Sequence, residues 1–297
     1  MKEKFKSFFA AVGYLLFAFV IQMVVFIIGG ITIAIYHMLK SMTQDGAEIV
    51  SNLDNMDVMI NQIIGLTSTM LLISSIATVL VFMLIYKIRK KKLKEEILLR
   101  KTNSTNIIIA AGLGLFVWLF NSGVLTLIQN QGLLPSYFAK MEEILSPLSE
   151  GSVFVAILTV GIVAPFAEEF LFRGVVYKTL SKNISIKWTI IIQAVFFGIF
   201  HGNLIQGTYA AVLGIIFGFV TYKTKSLIPA IIMHMVNNTI AVILPAFISE
   251  YLMSTGTNIG FIVVGSIGII ISIFFIAKKN IINDNKIESL DNYGNLS

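Results

Sequence analysis

The chain has 297 residues, 56% of them hydrophobic and 13% charged, with 23 Phe, five Pro and no Cys; its mean hydropathy is +0.86. That balance exceeds what one soluble core needs and describes an all-α, polytopic integral membrane protein. The lack of cysteine excludes disulfides, thiol nucleophiles and thiolate metal sites, and the net charge of +6 sits in clusters beside apolar runs, where it reads as anchorage to anionic lipid rather than as a nucleic-acid surface.

At about 20 residues per span, eight transmembrane helices are expected, near 8–36, 58–86, 106–129, 152–177, 188–204, 208–222, 227–248 and 257–277. The first follows Lys2, Lys4 and Lys6 and runs from Phe8 to Ile35, too long for a cleavable signal, so it is expected to stay in the membrane. With the N-terminus cytoplasmic, every Lys and Arg except Lys40 and Lys140 falls toward the inner side, which is what the positive-inside rule asks. This predicts a multi-pass protein of a bacterial plasma membrane with both termini cytoplasmic. The acidic outer loops, with Asp45, Glu48, Asp54 and Asp57 and then Glu142, Glu143 and Glu150, are too short to be domains. Three stretches follow: 1–150 with three spans and short loops, 151–250 as the functional core, and 251–297 with the last span and, from Ile281, a tail expected to be disordered.

The core carries the chemistry. Between Ala164 and Gly174 the chain reads A-P-F-A-E-E-F-L-F-R-G, and a carboxylate near the bilayer centre costs roughly 2.5 to 3.5 kcal/mol. Residues four apart share a helix face, so Glu169 is expected to pair with Arg173, while Glu168, turned about 100° away, is left as a candidate general base. The competing reading is that the two glutamates mark the watery end of the helix and Arg173 snorkels to headgroups. Pro165 is expected to loosen the backbone near Ile162. The depth of the later motifs asks this helix to continue past Arg173, beside a water-filled cavity open to the cytoplasm.

Two more motifs follow. In F-F-G-I-F-H-G-N, Phe197 and His201 share a face, and Gly198 and Gly202 permit close helix approach. In I-I-M-H-M-V-N-N, His234 and Asn238 are again four apart and converge where an oxyanion would form, while Asn237 is expected to point elsewhere. Taken singly, each pair suits helix packing or interhelical hydrogen bonding; taken together with Glu168 they favour catalysis. His37 lies apart, at the outer end of the first helix. Before Ser152, Asn61, Gln62 and Asn121 are isolated polar residues, expected at most to shape an entry surface.

In order and spacing these motifs resemble the CPBP family, the CAAX-protease and bacteriocin-processing (Abi) group of intramembrane proteases, whose pattern is EExxxR, FxxxH and HxxxN or a close variant. The resemblance covers about residues 150–245. It implies a glutamic endopeptidase in which Glu168 with His201 activates a water and His234 with Asn238 stabilises the oxyanion, with Glu169, Arg173 and Phe197 in structural and orienting parts. Family members have also been read as metalloproteases, with Glu168, His201 and His234 as three zinc ligands. That reading asks more of this sequence, which has no H-E-x-x-H helix and no evident carboxylate behind either histidine. No metal and no cofactor is therefore expected. The expected partners are a hydrophobic peptide or membrane-protein substrate and membrane lipid, without nucleic acid. Prenylated C-termini are the substrates the CAAX name implies, whereas related bacterial proteins are associated with peptide maturation and bacteriocin immunity; the Ile-, Lys- and Asn-rich composition favours an unprenylated substrate. The alternatives are a non-catalytic peptide-binding or immunity protein and a proton-coupled transporter, the latter disfavoured by the lack of repeat symmetry. A serine protease lacks its G-x-S-x-G, and an aspartyl dyad lacks membrane Asp.

Overall fold

In lipid a backbone must satisfy its own polar groups, so apolar runs of this length fold as helices. The computed structural model describes residues 1–43, 52–149, 152–244 and 254–294, and the described residues contain helices and no strand. In chain order the helices are α1 (Lys2–Thr43), α2 (Asn52–Gly65), α3 (Thr67–Ile88), the short α4 (Leu93–Glu96), α5 (Ser104–Asn130), α6 (Pro135–Ser149), α7 (Val153–Leu180), α8 (Ile186–Phe200), α9 (Leu204–Thr224), α10 (Ile228–Ile243) and α11 (Thr255–Gly294).

Six of these are long and apolar enough to cross a membrane, in α1, α3, α5, α7, α9 and α11. The expected fifth and seventh spans are α8 and α10, only 15 and 16 residues long. At about 1.5 Å per residue each reaches less than 25 Å, short of a hydrocarbon core of about 30 Å. The shortness of α8 has local causes. Gly202, at φ 73°, turns the chain out of α8, and the Asn203 side chain accepts the Gln206 backbone N–H at 2.8 Å to start α9. The far end of the expected seventh span, 245–248, lies outside the described residues. α11 continues through Gly294 across the stretch read as a disordered tail; no proline interrupts it after Thr255.

Hydrogen bonds define the two ends of the bundle. At the basic end, Asn183 donates to Ser7 Oγ at 2.8 Å, Leu227 N–H donates to Leu98 O at 2.9 Å, and Ser226 Oγ–H donates to Arg100 O at 2.6 Å. The lysine- and arginine-rich turns thus gather on one side. At the other end His37 Nε2 meets Gln62 Oε1 at 2.7 Å, and α6 lies across the bundle, tied by Ser68 Oγ–H to Leu148 O at 2.7 Å. α6 packs Phe138 inward, and on its exposed side Lys140 and Glu143 pair at 2.9 Å. The core between the ends is largely aromatic, with Phe82, Phe170, Phe172, Phe197 and Phe217 fully buried around Leu113 and Met233.

α7 is the irregular helix. It runs unbroken past Arg173 to Leu180, but two π-helical stretches, Ile157–Val163 and Phe170–Val176, flank the α-helical Ala164–Glu169. Pro165 has no N–H to return to Gly161, four residues back, or to Val160, five back. Side chains of α10 take the place of that donor: Asn238 Nδ2–H donates to Val160 O at 3.2 Å and Thr239 Oγ1–H to Gly161 O at 3.3 Å. Neighbouring helices commonly satisfy carbonyls freed in this way, and here the repair also aims Asn238.

Candidate active site

Glu169 and Arg173 occupy one face of α7, and both side chains are fully buried. Arg173 Nη1–H donates to Glu169 Oε1 at 2.6 Å, and the guanidinium lies 4.3 Å from the Phe197 ring centroid and 4.9 Å from that of Phe217. The charge is therefore held by one ion pair and two ring faces. The same oxygen of Glu169 meets His234 Nδ1 at 2.9 Å. Because a carboxylate only accepts, Nδ1 carries the proton, and Nε2 is the atom turned toward Glu168, whose Oε2 is 3.8 Å away. Arg173, Glu169 and His234 thus form one buried chain ending at Glu168, whose side chain is 25% exposed.

His201 caps α8. Its Nδ1–H donates to Phe197 O at 2.7 Å, which leaves Nε2 as the reactive nitrogen. Phe197 is the hinge pin of this arrangement: its ring stacks edge-on to His201 at 4.8 Å, to His234 at 5.7 Å, and over Arg173. Gly198 lets α9 approach, since a Cβ there would strike the Gly207 carbonyl and Ala211. Gly202, read as a second contact glycine, instead supplies the positive φ of the turn and has nothing near its missing Cβ.

Asn238 is held at both ends of its amide. Asn237 Nδ2–H donates to Asn238 Oδ1 at 2.9 Å, and Asn238 gives one N–H to Val160 O. An Asn amide has two N–H groups, so the second is the donor available to a substrate. Asn237, expected to face elsewhere, fixes the amide of its neighbour and lines the same cavity.

That cavity, about 190 Å³, is walled by His201, His234, Asn237 and Asn238, by Gln206 and Tyr209 of α9, and by Leu145 and Leu148 of α6. It lies at the α6 end, away from the basic turns, because His201 ends α8 on that side and the site follows it. Glu168 does not line this cavity. It borders a second, smaller crevice of about 20 Å³, shared with α1 and α3.

The structure therefore brings Glu169, Arg173, His234 and Phe197 into direct contact, sets Glu168 against His234, and gathers His201, His234 and Asn238 on one cavity. Among the described residues no hydrogen bond joins His201 to Glu168. Among the described residues no three His, Asp or Glu side chains are grouped as metal ligands. The sequence reading missed the bond from Glu169 to His234, 65 positions apart, because helical spacing relates only residues on one helix. It also missed the polar row Asn203, Gln206 and Tyr209, in which Asn203 Nδ2–H donates to Gln206 Oε1 at 2.9 Å and Gln206 and Tyr209 both line the cavity. Their three-residue period along α9 was the available signal.

Residues 150–240 match the family model described as Type II CAAX prenyl endopeptidase Rce1-like. A protein of Bacillus subtilis (strain 168) named "Putative membrane peptidase YdiL" is 29% identical over 115 residues, which is 38% of this chain and 47% of that protein. The chain thus spans about half the length of the curated relative it matches. No solved structure matches significantly. The matched segment is the one that carries Glu168 to Arg173, Phe197 to His201 and His234 to Asn238, and in it the chain is similar to the Rce1-like, CAAX-protease type of membrane protein.

Proposed function

We propose that the protein is an intramembrane endopeptidase that hydrolyses a peptide bond in a hydrophobic peptide or membrane-protein substrate. The observation that carries this reading is the buried chain from Arg173 through Glu169 to His234, which ends 3.8 Å from a second, partly exposed carboxylate. A buried, fixed histidine between two glutamates is costly to build in lipid, and proton transfer at a hydrolytic centre is a use that matches it.

In this mechanism Glu168 takes a proton from water as its oxygen attacks the scissile carbonyl carbon. The free N–H of Asn238, aimed by Val160 O and Asn237, donates to the resulting oxyanion. His234 Nε2 exchanges a proton with Glu168, and the proton leaves on the departing amine as the C–N bond breaks. Glu169 holds the ring of His234 in the orientation this needs, and Arg173 keeps Glu169 in place. His201, with Nε2 free on the cavity wall, orients the water or the substrate amide. With the basic end cytoplasmic, the cavity lies in the outer half of the membrane, so the scissile bond is reached from beneath α6. The glutamic mechanism is preferred to a zinc-dependent one because the three donors are not grouped for a metal.

The test is cleavage of hydrophobic peptides, with and without a C-terminal prenyl group, by purified protein in detergent, with products read by mass spectrometry and a strong chelator in a parallel arm. The expected result is a single new terminus in an unprenylated peptide, insensitive to chelator and absent with Glu168→Gln. Cleavage abolished by chelator and restored by zinc contradicts the metal-free scheme. Binding without cleavage by well-folded wild type supports the non-catalytic peptide-binding reading instead.

A further inference from the structure

The cavity wall carries an amide that the hydrolytic scheme does not use. Gln206 stands in the first turn of α9, three residues after Asn203, and the two side chains are locked together. Asn203 Oδ1 accepts the Gln206 backbone N–H at 2.8 Å, which leaves Asn203 Nδ2–H to donate to Gln206 Oε1 at 2.9 Å. Each bond fixes the other: turning the Asn203 amide over loses the helix cap, and turning the Gln206 amide over sets one NH2 group against another. Starting α9 therefore occupies the oxygen of Gln206 and asks nothing of its nitrogen. Gln206 lines the cavity beside His201, Tyr209 and Asn238, whereas Asn203, which holds the oxygen, does not. The Nε2 end is thus the part of the amide left for the cavity. It carries two N–H groups, so one remains for a ligand even where Tyr209, one turn on, takes the other.

We propose that Gln206 is a substrate-binding residue, whose Nε2–H donates to a backbone carbonyl of the peptide next to the bond that is cut. In lipid a helical substrate satisfies its own carbonyls, and a peptide bond becomes open to attack only where that helix unwinds. Each residue unwound frees an acceptor that the site has to satisfy, because a buried carbonyl without a donor is unfavourable. The N–H of Asn238 is taken by the carbonyl under attack. The two histidines do not serve the neighbouring carbonyl: Nδ1–H of His201 is given to Phe197 O and Nδ1–H of His234 to Glu169, so their Nε2 atoms are acceptors while the rings are neutral. Gln206 supplies a donor on α9, a different helix from the α10 that carries Asn238, and a peptide bonded to both is held at two points on separate walls. Leu145, Leu148, Leu213 and Val242 complete those walls and receive apolar side chains of the same stretch. Asn203 is then a positioning residue, acting on the peptide through the amide it orients.

This inference rests on the peptidase reading of the cavity, and measuring binding apart from cleavage lets each fail alone. The full chain carrying Glu168→Gln, in detergent, is titrated into a fluorescein-labelled, unprenylated peptide of about 20 apolar residues, and Kd is read by anisotropy. Adding Gln206→Met, which keeps the length and removes the donor, is expected to raise Kd about tenfold, near the loss of one hydrogen bond. Adding Gln206→Glu separates binding from capping. A carboxylate still accepts from Asn203 and suits the first turn of a helix, so the melting temperature stays at or above that of the parent, while Kd rises about tenfold or more because an acceptor replaces the donor. Thr208→Ala, at an exposed position of the same helix outside the cavity, leaves Kd unchanged. In the active protein, Gln206→Met raises KM and leaves kcat within about twofold, since the bond is made equally before and during attack. A Kd within about twofold of the parent in both Gln206 variants overturns the proposal and reduces Gln206 to a cap; cleavage by wild type then leaves the peptidase reading standing. A raised Kd in both variants, beside a wild type that cuts no peptide, upholds the contact and overturns the peptidase reading. A parent protein that binds no such peptide overturns the proposal.

Discussion

The two sides of Glu168 are built on different plans. Toward His234 the protein uses residues four apart on single helices, Glu169 with Arg173, Phe197 with His201 and His234 with Asn238, and joins them by bonds of 2.6 to 3.2 Å. Toward α1 and α3 it uses Gln22 of the first and Ser75 and Thr78 of the second, and none of the three is hydrogen-bonded to another. The first side is a connected framework in which Glu169 is held by both Arg173 and His234; the second is a small opening lined by these polar groups.

Breaking the rigid side at its root has the largest expected effect on stability. Arg173→Leu strands Glu169 as a buried unpaired carboxylate at a cost of about 3–5 kcal/mol, which should appear as a large fall in melting temperature in detergent together with loss of activity. Glu169→Gln keeps the shape of the side chain but weakens both its partners, and its melting temperature should fall less. Asn238→Ala acts on rate instead: removal of one oxyanion donor is expected to cut kcat roughly 100-fold or more with little change in melting temperature. Asn237→Ala leaves that donor in place but frees its amide to rotate, for an expected loss of about tenfold, near one hydrogen bond. Pro165→Ala has the smallest effect. It restores an N–H able to reach Val160 O or Gly161 O, and by competing with Asn238 and Thr239 it should slow turnover by a few-fold while steadying the helix. If Pro165→Ala and Asn237→Ala leave kcat untouched while Asn238→Ala lowers it, the aiming of Asn238 by its neighbours is not what the rate depends on.

The same contrast explains what the sequence could disclose. Glu168, Glu169, Arg173, His201, His234 and Asn238 stood out because charged and amide groups are rare in apolar runs and because a helix repeats every 3.6 residues. The all-helical membrane fold was legible from hydropathy alone. Helix length was less so: α8 and α10 are apolar enough to be read as spans, and only the positive φ of Gly202 and the cap at Asn203 show where α8 stops. The contact of Glu169 with His234 and the gathering of Ser75, Thr78 and Gln22 at Glu168 depend on how separate helices pack, which no spacing within one helix encodes. The use of Pro165 was half legible: a loosened backbone was expected, but not that Asn238 would occupy the carbonyl left without its donor.

The account stands on Glu168 as the group that activates water. Its most direct test is the kcat for one cleaved peptide with wild type and Glu168→Gln, at equal peptide binding and equal melting temperature. A loss of about 1000-fold or more, within the range of general-base catalysis together with its positioning, is the predicted result. A Glu168→Gln protein that cuts within tenfold of wild type contradicts the central claim and moves the base to another residue.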